Sequence, residues 1–125
     1  MMRTPLGKVR GLGSARSGTD HFWRQRLTGV ALVPLAVFFV FSIVALQGES
    51  HATVAATLAN PFVGVLTLLF ICAGAWHMKL GMQVIIEDYV HSEGLKILAL
   101  AANVFFAATV GVACAWAVIK ISFGG

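Results

Sequence analysis

The sequence predicts an all-α membrane protein with three transmembrane helices, and three observations carry that prediction. Of 125 residues, 58% are hydrophobic and only 11% charged, more apolar surface than a soluble domain of this length can hide from water. Three apolar stretches, about 27–46, 61–90 and 95–123, each suffice to cross a hydrocarbon core of ~30 Å, which takes ~20 helical residues. Positive charge is concentrated before the first of them.

Residues 1–26 form a basic segment: Arg3, Lys8, Arg10, Arg16, Arg24 and Arg26 stand against a single Asp20. Its first part, residues 1–17, is expected to be poorly ordered. The segment lacks the aromatic interleaving of a nucleic-acid binder, so topology and lipid-headgroup contact explain it more simply. Residues 27–125 are then the membrane domain. The first span, "LTGVALVPLAVFFVFSIVAL", carries no charge. It is longer than a signal-peptide core and no small-x-small site closes it, so it is expected to be retained. Pro34 within it is expected to make a tolerated kink.

The loop "QGESHATVAATLAN" has no Lys or Arg. Asn60 is placed to cap the second helix and Pro61 to open it. From Phe62 to Asp88 a continuous helix rises ~39 Å, so its last turns should emerge among or beyond the headgroups. The second loop region carries Lys96 with Glu87, Asp88 and Glu93. Positive-inside reasoning puts the N-terminus in the cytoplasm, the first loop outside, the second inside and the C-terminus outside; Lys120 weighs only mildly against this. Cys72 and Cys114 lie in apolar runs without metal-ligand spacing and are expected to be buried small hydrophobes. Trp23 and Trp116 near opposite ends fit interfacial anchoring.

The stretch "WHMKLGMQVIIEDYVH", Trp76 to His91, carries the chemistry. On a helical wheel Gly81, Val84 and Asp88 fall within about 40° of His77, and Gly74 sits one turn below on nearly the same face. Asp88 lies ~16 Å further along, and Tyr89 is rotated about 120° from His77. A histidine inside a span is a functional-site candidate by default, although an interhelical hydrogen bond would also account for it. Gly74 and Gly81 would clear space for something flat beside the imidazole, and a haem fits: an axial imidazole, little side-chain bulk, an apolar surround. A second axial histidine is hard to find on this chain. His91 is ~21 Å along the same helix, His51 is in the first loop, and His21 precedes the first span. A second ligand would come from a partner. Arg24 and Arg26 stand where haem propionates would need cations, though topology and headgroup contact also explain them.

"HFWRQRLTG" entering the first span and "HMKLGMQVIIEDYV" ending the second resemble the small, D-type cytochrome b membrane anchor of succinate dehydrogenase, respiratory complex II. The pattern H-x-x-x-G-x-x-x-V-x-x-D-Y is matched at His77, Gly81, Val84, Asp88 and Tyr89, and the resemblance covers nearly the whole chain beyond the first dozen residues. It implies that His77 is an axial ligand of haem b, with the second ligand on the larger cytochrome b anchor. It implies that the Tyr89 hydroxyl bonds a quinone carbonyl, ubiquinone being the quinone expected, with Asp88 supporting that site. Arg26 would lie near the propionates and the quinone pocket. Asp20-His21 occupies the place of a His/acid pair that relatives can carry in the opposite order, which leaves the role of His21 open. The implied partners are a flavoprotein, an iron–sulfur subunit and the larger anchor. The implied location is a bacterial cytoplasmic membrane, with the mitochondrial inner membrane as the alternative. No succinate chemistry would reside on this chain.

Ala99, Asn103, Ala107, Gly111 and Ala115 recur at i+4 in the third helix. Such a small-residue stripe suits close approach of a helix, from a partner or from this same chain. Asn103 is expected to make an interhelical hydrogen bond, and Trp76 fits packing beside a haem. Lys79 points roughly opposite His77 and has no assigned role. Rival readings are a haemless or fumarate-reductase-type quinone anchor, and a non-redox membrane scaffold.

Overall fold

The computed structural model describes residues 4–11 and 18–124. They form five helices, α1 (Pro5–Arg10), α2 (Gly18–Leu46), α3 (His51–Ala59), α4 (Pro61–Tyr89) and α5 (Glu93–Ser122), and no strand occurs among the described residues. Three helices, α2, α4 and α5, are long and apolar enough to cross a membrane. The expectation of poor order for residues 1–17 lies, at 1–3 and 12–17, outside the described residues. Residues 4–11 include the short α1, capped by Thr4, which accepts a hydrogen bond from Gly7 N at 2.9 Å.

α2 begins at Gly18, nine residues ahead of the apolar run. Hydropathy marks where the chain becomes oily, whereas a helix needs only satisfied ends and compatible side chains. Asp20 in the first turn complements the helix dipole. It also pairs with Arg24 one turn on, at 2.9 Å. The helix runs on through Pro34.

The first loop is a correction too, because most of it is helical. Ser50 accepts from Thr53 N at 3.2 Å and starts α3. Asn60 Oδ1 accepts from Phe62 N at 3.0 Å with Pro61 at the first position of α4, as the sequence suggested. The turn between α3 and α4 is tight. A Cβ on Gly64 would sit 2.8 Å from the Leu58 carbonyl oxygen, so only glycine lets the two helices meet there. Ser122 Oγ, from the end of α5, donates to that same carbonyl at 2.9 Å, satisfying one of the oxygens a helix C-terminus leaves bare.

α4 is the central helix. α2 packs along it on one side and α5 on another, while α3 touches α4 and α5 at one end. Phe39 stacks on Phe70 with centroids 4.6 Å apart in the α2–α4 contact. On the other side, a Cβ on Gly111 would come within 3.2 Å of Ala75 Cβ. Asn103 Nδ2 donates to the Lys79 carbonyl at 2.8 Å. The stripe of α5 is therefore used inside this chain, where Asn103 and Ala107 are buried.

Little else is buried. Among the described residues Leu80, Ile86, Ala107, Thr67 and Asn103 are the buried ones. The accessible surface is 9321 Å² for a 13.3 kDa chain, against about 6,500 Å² for a compact soluble monomer of that mass. Cys72 and Cys114 are exposed rather than buried; an apolar run shows that a residue avoids water, and in a membrane protein the outer faces avoid water as well.

Candidate functional site

Polar residues collect in one place along the α2–α4 contact. A groove of about 630 Å³ opens there, lined by His77 and Val84 of α4 and by His21, Gln25, Arg26 and Gly29 of α2. The i, i+4 spacing of His21, Gln25 and Gly29 puts them on one face of α2. His77 meets that face at two points. Its Nδ1 lies 3.0 Å from Thr28 Oγ1, and a Cβ on Gly29 would stand 3.4 Å from its Cε1. Glycine at 29 thus lets the imidazole lie flush against α2. Its other nitrogen, Nε2, has no hydrogen-bond partner among the described residues. Neither Thr28 nor Gly29 was singled out from the sequence; only the helical phase of α2 relative to α4 reveals them.

Two further polar atoms in this groove are buried and unpaired: His21 Nε2 and Gln25 Oε1. A buried acceptor or donor without a partner costs roughly 1–3 kcal/mol, so a groove holding two of them is chemically incomplete on its own. Arg26 adds the groove's positive charge; its guanidinium sits 4.9 Å from the Phe22 ring centroid.

The other expected residues distribute differently. Gly74 and Gly81 do not leave open space beside His77. A Cβ on Gly74 would meet Leu32 at 3.9 Å, and one on Gly81 would meet Gln25 at 3.6 Å. Both glycines face α2 across the α2–α4 contact, at ordinary packing distance. Arg24 is absent from the groove lining; it pairs with Asp20 and lies 5.8 Å from the Trp76 ring centroid. Trp76 is likewise absent from that lining and borders a second groove between α4 and α5, together with Lys79. Asp88 and Tyr89 project from the last turn of α4, exposed, and are not brought into the groove by this chain.

Among the described residues no three His, Cys, Asp or Glu side chains converge on a metal position, so His77 stands as a single potential ligand. His21 shares the groove but enters α2 seven residues before Thr28, ~10 Å along the axis. His51 opens α3 and His91 follows α4. The residues of the groove fit a haem: one imidazole with an unbonded nitrogen, an apolar wall of Val30, Val33 and Val84, and a cation at Arg26.

Comparison with known proteins covers nearly the whole chain. The model of the succinate dehydrogenase/fumarate reductase transmembrane subunit family matches residues 1–112. The succinate dehydrogenase hydrophobic membrane anchor subunit of Paracoccus denitrificans is 31% identical over 121 residues, covering 97% of this chain and 93% of that protein. The succinate dehydrogenase membrane anchor subunit of Reclinomonas americana is 35% identical over 88 residues, 68% of this chain and 73% of its own. The hydrophobic membrane anchor subunit from Rickettsia bellii is 29% identical over 109 residues, 86% and 87% of the two chains.

Proposed function

Because this chain belongs to the succinate dehydrogenase/fumarate reductase transmembrane subunit family, we propose that it helps to hold a b-type haem and to build the quinone-reduction site of its complex. As a membrane anchor subunit of succinate dehydrogenase it is a multi-pass protein of a bacterial inner membrane, and it is a non-catalytic subunit of that enzyme. The observation that carries the haem reading is His77 itself. An imidazole held at Nδ1 by Thr28, unbonded at Nε2, borders a groove with unpaired polar atoms.

In this reading the groove faces a larger cytochrome b anchor, and the haem would be held between the two chains. A bound haem would supply a one-electron reservoir beside the quinone. His77 provides the coordinating nitrogen and Arg26 a guanidinium for a propionate. Val30, Val33 and Val84 would keep water from the face of the ring, while Gly74 and Gly81 face α2 beside it. Arg24, already paired with Asp20, stabilises the helix entry and the headgroup contact instead. With the N-terminus in the cytoplasm, the end of α4 lies at the inner surface, where the flavoprotein and iron–sulfur subunits dock. Tyr89 then donates its phenolic proton in a hydrogen bond to a quinone carbonyl, ubiquinone being the quinone expected. Such a bond strengthens as that oxygen gains negative charge during reduction. Asp88 beside it is placed to pass protons to the reduced ring.

One specific observation also suits a plainer role. The Thr28–His77 bond ties α2 to α4 and is what a purely structural histidine would make. A structural histidine gives no account of the free Nε2, nor of the orphaned His21 and Gln25 atoms. Purified complex decides between the two. Reduced-minus-oxidised spectra should show b-type haem bands that vanish in His77→Ala while flavin content stays normal. If the wild-type complex carries flavin but no haem bands, His77 is structural and the anchor works without haem.

A further inference from the structure

The hydroxyl of Thr28 is the least expected polar group at the site. A threonine hydroxyl owns one proton and two lone pairs. Oγ1 lies 2.8 Å from the Arg24 carbonyl oxygen and 3.1 Å from that of Gln25. Both are acceptors only, so the Thr28 proton is shared between them, the usual back-bonding of a threonine in a helix. At the third neighbour, His77 Nδ1 at 3.0 Å, the hydroxyl can then only accept. The proton of the neutral imidazole must therefore sit on Nδ1, and Nε2 carries the lone pair. The opposite tautomer would turn the Thr28 proton away from two carbonyl oxygens and leave Nε2 protonated, unable to bind a metal.

From this geometry we infer that Thr28 is a positioning residue for the axial histidine: it selects the Nδ1–H tautomer, fixes the ring plane, and tunes the iron through the hydrogen bond. The inference rests on the haem reading above. Accepting from Nδ1–H makes the imidazole a more basic ligand, which favours ferric over ferrous iron. The backbone geometry supports the same role. Gly29, next in sequence, lies against Cε1 at a hypothetical Cβ distance of 3.4 Å, so the ring is held from two consecutive residues of one helix turn. Groups that hydrogen-bond a metal-binding imidazole at its other nitrogen are worth 10- to 100-fold in metal affinity or function.

The test uses whole complex carrying Thr28→Val, which keeps the branched shape and removes the hydroxyl, beside Thr28→Ser, which restores the hydroxyl. Haem per flavin, haem midpoint potential and the low-spin ferric EPR spectrum are measured on each. In Thr28→Val the ferric preference should fall by roughly tenfold, a positive shift of about 59 mV for a one-electron couple. Altered g-values or a severalfold lower haem-to-flavin ratio should accompany it. Thr28→Ser should return all three toward wild type. If valine prevents assembly, Thr28→Ala is measured against serine in its place. Wild-type potential, g-values and haem content in the variant lacking the hydroxyl would overturn the inference, as would equal defects in the serine and hydroxyl-free variants. Absence of haem from the wild-type complex would instead overturn the haem reading beneath it.

Discussion

Tyr89 closes α4 and is 76% exposed as a residue, and among the described residues its phenol bonds nothing. An exposed aromatic at the end of a spanning helix suits a headgroup anchor as readily as a ligand contact. The proposed quinone bond separates the two. Tyr89→Phe keeps the ring and loses only the hydroxyl, so an anchor would scarcely notice it. A hydrogen bond to a developing negative charge is worth roughly 1.5–3 kcal/mol, or about 10- to 100-fold in rate. Quinone reduction should fall by that amount while succinate oxidation by an artificial soluble acceptor stays near wild type. Equal loss in both assays would assign Tyr89 to assembly. At this scale the sequence was informative where polarity itself is the signal. His77 stands out because ionisable groups are rare in a span. Thr28 and Gly29 do not, because a threonine or a glycine in a membrane helix is ordinary until its neighbour 49 residues away is known.

Helix α4 is held by close approaches rather than by a deep core. At its start, the Leu58 oxygen stands 2.8 Å from where a Gly64 Cβ would be, and that atom is backbone, which cannot rotate away. Gly64→Ala should therefore cost about 1–3 kcal/mol, the usual range for overpacking. A lowered melting temperature of the detergent-purified complex would register it. Along its length, Asn103 Nδ2 bonds the Lys79 carbonyl from α5. Interhelical bonds of this type average about 0.6 kcal/mol, with a maximum near 1.7. Asn103→Leu should then be mildly destabilising in the same melt and leave haem content unchanged; loss of haem would mean that the α4–α5 contact also sets the angle of His77. Local chemistry made the caps readable, since Asn60 followed by Pro61 announces a helix start. It did not make α3 readable as a helix. "SHATVAATLA" lacks charge and strong amphipathic pattern, and its stability comes from packing on α4 and α5.

Across the whole molecule, three long helices around a small core leave far more surface than a self-sufficient globule. Lipid covers part of it, and in the proposed reading the groove beside His77 receives the haem and the larger anchor. The proposed topology makes a separate prediction. In a background with Cys72 and Cys114 replaced, a cysteine introduced at Glu49 should react with an impermeant thiol reagent in intact cells. One at Ser92 should react only after the membrane is opened. The reverse pattern would invert the protein and move Tyr89 away from the soluble subunits.

Membrane residence, the number of spans, the cap at Asn60 and the unusual placement of His77 were all legible in the chain of residues. Each depends on composition or on spacing within a few turns, and a bilayer reads those locally. Tertiary structure alone decided that Gly74 and Gly81 lie under α2, that Arg26 reaches the groove while Arg24 turns to Asp20 and Trp76, and that Thr28 holds the imidazole. Those outcomes turn on how far each helix is rotated about its own axis when it meets the next. A rotation of about 100° exchanges one residue for its neighbour, and in helices apolar on every side hydropathy leaves that angle undetermined.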